Sequence, residues 1–195
     1  MANLEPLEQT FYGAPTIDIA QSLIGQSLIS TIGDHLTGGI ILETEAYVVD
    51  DPASHAYRLK TARNDIMFGP AGFTYVYVSY GLHICMNVVT GTAGSAEGVL
   101  IRVLLPTIGT SLMRERRKNC TSDAKLCAGP GNLCSSLGIT LALYGHNLSL
   151  SPLFIAKTPE IELRAFSDSY QIVSRPRIGI SRGKDLPLRF TAVPR

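Results

Sequence analysis

The sequence predicts an α+β fold in a single domain spanning residues 1–195, and three observations carry that reading. Four β-branched or aromatic segments, residues 39–46, 73–79, 84–90 and 99–105, are separated by Gly- or Pro-containing turns, as strands are. Residues 17–28, 111–118 and 123–137 read as helical. A chain of 195 residues that is 45% hydrophobic and 17% charged supplies one adequate core, and its length fits one domain rather than two.

The first helical segment is marked by Ile17, Ala20, Leu23 and Ile24 on one face, with Thr16 or Asp18 placed to cap it. The strand over residues 39–46 ends in Glu43 and Glu45, two residues apart and therefore on one face, where like charges would raise one pKa. Residues 50–64 are polar and aperiodic and read as an ordered loop that presents His55 beside that strand. The Tyr-rich run over 73–79 alternates, places Tyr75 and Tyr77 on one face, and meets the next strand through the corner Ser79-Tyr80-Gly81. Arg102 interrupts the apolar strand 99–105, and because an unpaired charge there is costly it should meet a carboxylate or a phosphate. Neighbouring strands are expected to pair antiparallel. After Pro106 come the two later helical segments, the second broken by Gly129-Pro130-Gly131, and then short strands at 171–174, 177–181 and 188–193. There is no internal repeat, linker or low-complexity tract.

The net charge of +1 conceals an asymmetry: residues 1–66 carry −6 and residues 67–195 carry +7. The basic run Arg114, Arg116, Arg117 and Lys118 could bind phosphates, although so short a run is more often a solvated helix face. Cys85, Cys120, Cys127 and Cys134 form no CxxC pair, and their spacings of 35, 7 and 7 fit neither zinc nor iron–sulfur patterns, so reduced structural thiols are expected. No apolar run approaches a membrane span, and the polar start MANLEPLEQT shows no secretory signal. A cytoplasmic protein, nucleoid-associated if bacterial, is the expectation.

Two segments concentrate the polar chemistry: ILETEAYVVDDPASH at residues 41–55 and FTYVYVSYGLHICMNVV at residues 73–89. They closely resemble the alkyladenine (3-methyladenine, N-methylpurine) DNA glycosylases. The likeness continues through GVLIRVLLP at 98–106 and LCAGPGNLC at 126–134 and covers nearly the whole chain. The resemblance implies a curved, mostly antiparallel, partly barrel-like sheet surrounded by helices. It implies a monofunctional DNA glycosylase of base excision repair, acting as a monomer on double-stranded DNA with damaged purines, without cofactor or metal.

Residue by residue, the resemblance places the catalytic carboxylate at Glu45, two positions before the motif tyrosine, with Glu43 in support. It gives Tyr47, His55 and Tyr77 the role of holding a flipped purine and Asn87 the pocket floor, where it disfavours the amino group of guanine. Tyr80 becomes the wedge that enters the duplex, with Leu82 and Tyr75 also meeting DNA. Arg102 is paired with the catalytic water and the substrate phosphate, and the main-chain carbonyl of Ile178 helps hold that water. Flipping costs a few kcal/mol, which stacking at about 1–3 kcal/mol per aromatic offsets, and cation–π attraction favours a cationic alkylated purine. Lys60 is the only lysine near this group, and the family uses water rather than an amine nucleophile, so no strand cleavage is expected.

Relative to the vertebrate pattern the interval from Tyr47 to His55 is one residue shorter, and His83 follows Leu82 where Met-Tyr is common. His83 either donates a proton in the pocket or satisfies a contact at a strand end. Two rival readings stand beside the enzyme: a lesion-DNA-binding module of the same fold that does not cut, against which Glu45 speaks, and a metal-dependent hydrolase using Glu43, Glu45, His55 and His83. The second lacks an HExxH or a closely spaced His pair.

Overall fold

The computed structural model describes residues 4–195. Its frame is one eight-stranded sheet of β1 (Ser27–Ser30), β2 (Thr37–Tyr47), β3 (Thr74–Ser79), β4 (His83–Thr90), β5 (Glu97–Ile108), β6 (Leu153–Ala156), β7 (Tyr170–Arg175) and β8 (Arg189–Pro194). The main path runs β3-β4-β5-β2-β1-β6, and β8 pairs with both β2 and β7. Every pairing is antiparallel. Four helices, α1 (Thr16–Ser22), α2 (Thr110–Arg116), α3 (Pro130–Leu137) and α4 (Glu160–Ser169), surround it, so the α+β architecture expected from the sequence is the one found.

Strand β2 organises the molecule. One edge pairs with β5 along nearly its whole length, while the other is shared, with β1 taking residues 37–40 and β8 taking residues 43–45. Register shifts on the β5 side fall at Gly38/Gly39, Ile41/Glu43 and Glu43/Thr44, and such bulges bend a strand and tighten its twist. The sheet therefore curves, without closing, around the place where the two glutamates stand.

Close approach of β5 explains one glycine in β2. A Cβ built on Gly39 would lie 2.3 Å from the Leu105 carbonyl oxygen and 2.9 Å from its carbon, both rigid main-chain atoms. Gly39→Ala is expected to cost about 1–3 kcal/mol through forced backbone shifts. A thermal melt coincident with that of the unsubstituted protein would refute that close packing.

The main core includes Leu23, Leu28, Ile41, Met86, Ile101, Leu104, Met113, Leu126 and Leu133. Helix α3 packs on β4 and β5, and α1 on β2 and β5. Pro130 opens α3 at its first turn, and Gly138, at φ 73°, closes it. The four cysteines are free thiols, and burial pushes Cys127 up to about 11 and Cys134 well above the ordinary value. Among the described residues no helix is long and apolar enough to cross a membrane.

Several local expectations are corrected. The helix predicted over 17–28 ends at Ser22, the chain turns at Gly25 with φ 89°, and Ser27–Ser30 becomes the strand between β2 and β6. Neither Thr16 nor Asp18 caps α1: its N-cap is Pro15, and Thr16 Oγ1 instead lies 2.8 Å from Thr90 Oγ1. The Gly-Pro-Gly break splits 123–137 into a 3-10 turn, Asp123–Lys125, and α3. Residues 177–181 form an irregular loop rather than a strand. The arginines of the basic run tie α2 to its surroundings, with Arg114 Nε 2.8 Å from Asp123, Arg116 Nη1 3.0 Å from the Ser136 carbonyl and Arg117 Nη1 2.6 Å from that of Leu126.

Candidate active site

The alternation of β2 carries Glu43, Glu45 and Tyr47 to one place, and the chain beyond β7 returns to meet them. The Glu45 side chain is completely buried. Its Oε2 accepts a 2.9 Å hydrogen bond from the Tyr47 hydroxyl, and its Oε1 accepts one of 2.9 Å from the main-chain N–H of Ile178. Arg102 Nη1 lies 3.3 Å from Oε1. Burial first, then the negative charge of Glu45, pushes the Tyr47 hydroxyl far above its ordinary pKa, so this phenol remains a proton donor to the carboxylate.

Glu43 lies beside it and is held by three donors: Arg102 Nε at 2.9 Å, Arg189 Nη1 at 2.9 Å and Thr191 Oγ1 at 2.8 Å. The like-charge pairing expected from the i, i+2 spacing is thereby altered. Arg102 stands between the two carboxylates and contacts both, so two arginines balance two glutamates. Arg102 meets carboxylates, one of the two partners its apolar strand required. Arg189 and Thr191 come from the far end of the chain, and no local pattern in the sequence marks them.

Above this layer opens a cleft of about 840 Å³. Tyr47, His55 and Tyr77 line it, with Asn87 and Leu100. Glu45 itself does not reach the surface, but Tyr47, Arg102 and Ile178, its three partners, all line the cleft, which places the carboxylate one layer beneath the floor. His55 meets the Tyr77 ring edge-on with centroids 4.7 Å apart, and its Nδ1 is 3.0 Å from the Tyr75 hydroxyl. Burial and, secondarily, the Arg63 guanidinium hold the His55 pKa below its ordinary value, so the ring is neutral at pH 7.

Tyr75 requires a correction. It is completely buried and stacks behind Tyr77 with centroids 4.9 Å apart, so it has no surface to offer DNA and instead fixes the His55 ring through its hydroxyl. Tyr80 and Leu82 are 83% and 78% exposed at the β3–β4 corner. Tyr80 adopts the left-handed conformation, φ 49°, unusual for an aromatic residue, and its hydroxyl donates to the Gly179 carbonyl at 2.9 Å. His83 is exposed at the start of β4, faces Ser79 in the ladder and does not line the cleft, which is the strand-end position rather than the pocket one. Asn87 lines the cleft, and its buried Oδ1 has no hydrogen-bond partner among the described residues. Ile178 contributes its N–H to Glu45 in addition to the carbonyl role that the resemblance implies for it.

The rim is electropositive. Arg58, Arg63 and Arg182 line the cleft besides the paired Arg102, and no acidic side chain does so among the described residues. Lys60 lies outside it, over the Phe68 ring at 5.7 Å. Glu43, Glu45, His55 and His83 do not assemble as ligands: the first two engage arginines and His55 engages tyrosines, and no group of three candidate ligands occurs among the described residues.

Sequence reading missed the ion pair that joins the two loops of the cleft. Asp51 and Arg177, both completely buried, form a bidentate pair, with Arg177 Nη2 at 2.9 Å from Asp51 Oδ1. Arg177 Nη1 also donates to the Ala46 carbonyl at 3.0 Å, and the guanidinium lies 4.7 Å from the centroid of the Tyr47 ring. Only the placement of an Asp in one polar loop and an Arg in another could have hinted at it.

A family model described as methylpurine-DNA glycosylase (MPG) matches residues 10–194. The chain is 45% identical over 187 residues to a protein of Methanoculleus marisnigri named "Putative 3-methyladenine DNA glycosylase", covering 94% of this chain and 93% of that one. Proteins of the same name from Nitrosospira multiformis and Carboxydothermus hydrogenoformans are each 44% identical, over 92% and 94% of this chain and 86% and 93% of their own. Likeness of this extent, over an aromatic cleft with a cationic rim, defines a DNA glycosylase, a hydrolase of N-glycosyl bonds. The chain belongs to the methylpurine-DNA glycosylase family, as its motifs had indicated.

Proposed function

We propose that the protein acts as a monomer, flips alkylated or deaminated purines out of duplex DNA and hydrolyses their N-glycosidic bond with a water activated by Glu45, leaving an abasic site. The observation that carries this reading is the buried Glu45 carboxylate beneath an aromatic cleft, fixed by Tyr47, Ile178 and Arg102. A water entering between those three groups meets a carboxylate whose remaining lone pairs accept its proton. Its oxygen then attacks the sugar anomeric carbon while the electron pair of the C–N bond leaves with the base. The same negative charge stabilises the oxocarbenium-like transition state.

Tyr47, His55 and Tyr77 supply stacking surfaces for the extruded base, and a neutral His55 does not repel a cationic one. Tyr80, exposed at the corner, fills the gap in the duplex, and the exposed Leu82 of the same corner meets DNA beside it. The names of the relatives point to 3-methyladenine as one substrate. The test is single-turnover release of base, in EDTA, from duplexes with 3-methyladenine, hypoxanthine or ethenoadenine, scored as abasic product that breaks only on alkali treatment. Lesion binding without release would replace this reading with that of a binding module.

The pH profile separates the two classes of lesion. A cationic purine such as 7-methylguanine leaves without protonation, whereas hypoxanthine leaves with a proton at N7, so hypoxanthine release should rise on acidification. The His55 pKa lies below its ordinary 6.5, so His55 gains charge only as pH falls past neutrality, and release of a cationic base should then decline. Superimposable profiles for the two lesions between pH 5 and 8 would refute both assignments.

A further inference from the structure

The Tyr47 ring has two faces, and only one of them belongs to the cleft. Tyr47 lines the cleft; Arg177, whose guanidinium lies 4.7 Å from the ring centroid, is completely buried and does not line it. The cation therefore occupies the far face. It is held there with little freedom by Asp51 and the Ala46 carbonyl, while Arg177 Nε has no partner among the described residues. Its Asp51 counter-charge anchors the next turn of chain, where Asp51 Oδ1 also accepts the Ala53 N–H at 2.9 Å.

A purine stacked on the open face of Tyr47 would sit on the order of 8 Å from this guanidinium, comparable to the distance over which charges act at physiological ionic strength, and the intervening ring excludes screening ions. Two cations on opposite faces of one aromatic ring compete for the same quadrupole and repel each other through it. A neutral purine bears neither cost. We propose that Arg177 is a specificity-setting residue: it lowers the advantage that the Tyr47 face gives a cationic base over a neutral one, and Asp51 sets how far by offsetting its charge. The site is thereby tuned toward admitting neutral lesions as well as alkylated ones. This inference rests on the flipped-base reading above and concerns discrimination between bases rather than the chemical step.

The test is equilibrium binding to two duplexes, one with 7-methylguanine and one with ethenoadenine, each on a 2′-fluoro sugar that prevents turnover. The quantity read is the ratio of the two Kd values, which is unaffected by the fraction of protein that is active. Arg177→Met should shift the ratio by about three- to tenfold in favour of the cationic lesion. Asp51→Asn, which leaves the guanidinium uncompensated, should shift it in the opposite direction, and Arg177→Lys, which keeps the charge, should hold it near the original value. A purely structural role moves all affinities together and leaves the ratio alone. Ratios within twofold of the original for both Arg177→Met and Asp51→Asn would overturn the proposal, and if Arg177→Met fails to fold, the near-isosteric Asp51→Asn decides it alone. Failure of the unsubstituted protein to prefer either lesion over undamaged duplex would instead remove the flipped-base reading on which the proposal depends.

Discussion

Glu45→Gln is expected to slow single-turnover base release by roughly 10²–10⁴-fold, the range a positioned general base contributes. The amide keeps the shape of the carboxylate and still offers an oxygen to the Ile178 N–H, so the floor of the cleft keeps its geometry. What is lost is the proton acceptor and the negative charge that faces Arg102 at 3.3 Å. Lesion binding should therefore stay within about threefold of that of the unsubstituted protein, because Tyr47, His55, Tyr77 and Tyr80 are unchanged. A rate within tenfold of the original would remove Glu45 from the chemical step, and an equal loss of binding and rate would make its role structural.

Glu43→Ala should produce a large loss of stability. Glu43 sits where β2 exchanges β1 for β8 as its neighbour, and it takes hydrogen bonds from Arg102, Arg189 and Thr191 at 2.8–2.9 Å. All three groups are largely shielded from solvent, with the two arginine side chains 11% and 14% exposed. Truncation leaves Arg189 without its carboxylate and Arg102 with Glu45 alone at 3.3 Å, at a cost of about 3–5 kcal/mol where a buried pair is broken from one side. For a domain of this size that corresponds to a fall in Tm of roughly 6–20 °C, readable by calorimetry. Glu43→Gln, which keeps an acceptor, should fall between. A Tm unchanged by Glu43→Ala would mean that water already shares these charges.

The sequence disclosed the parts of this molecule that are locally periodic. The strands now at Thr37–Tyr47, Thr74–Ser79, His83–Thr90 and Glu97–Ile108 alternate or carry aromatic and β-branched residues, and their turns contain glycine. Ser27–Ser30 escaped because Leu28 lay in helical register with Ile24, and only pairing with β2 and β6 makes it a strand. Leu153–Ala156 has four consecutive buried residues and hence no alternation to detect. Helix α4 buries no residue, so its apolar stripe is weak.

The site divides the same way. Glu45, Tyr47, His55, Tyr77 and Asn87 stand in two short motifs and were found through them. Asp51 with Arg177, and Glu43 with Arg189 and Thr191, are separated by 126–148 residues, and nothing in the vicinity of either member announces the other. The exposed Tyr80 and the buried Tyr75 are both strand-end or strand tyrosines in the sequence, and only packing tells an exposed corner residue from a hidden support.

The double neighbour of β2 has a consequence for how the protein comes into being on the ribosome. Residues 41–102 bring the aromatic walls, both glutamates and Arg102 into existence early in synthesis, yet Ile178, Arg189 and Thr191 are made last. A nascent chain thus carries the aromatic residues of the cleft long before the donors Ile178, Arg189 and Thr191 reach its carboxylates. Prematurely terminated products that stop before residue 177 should be unable to excise bases even where they bind DNA, so unfinished copies of the enzyme would make no abasic sites.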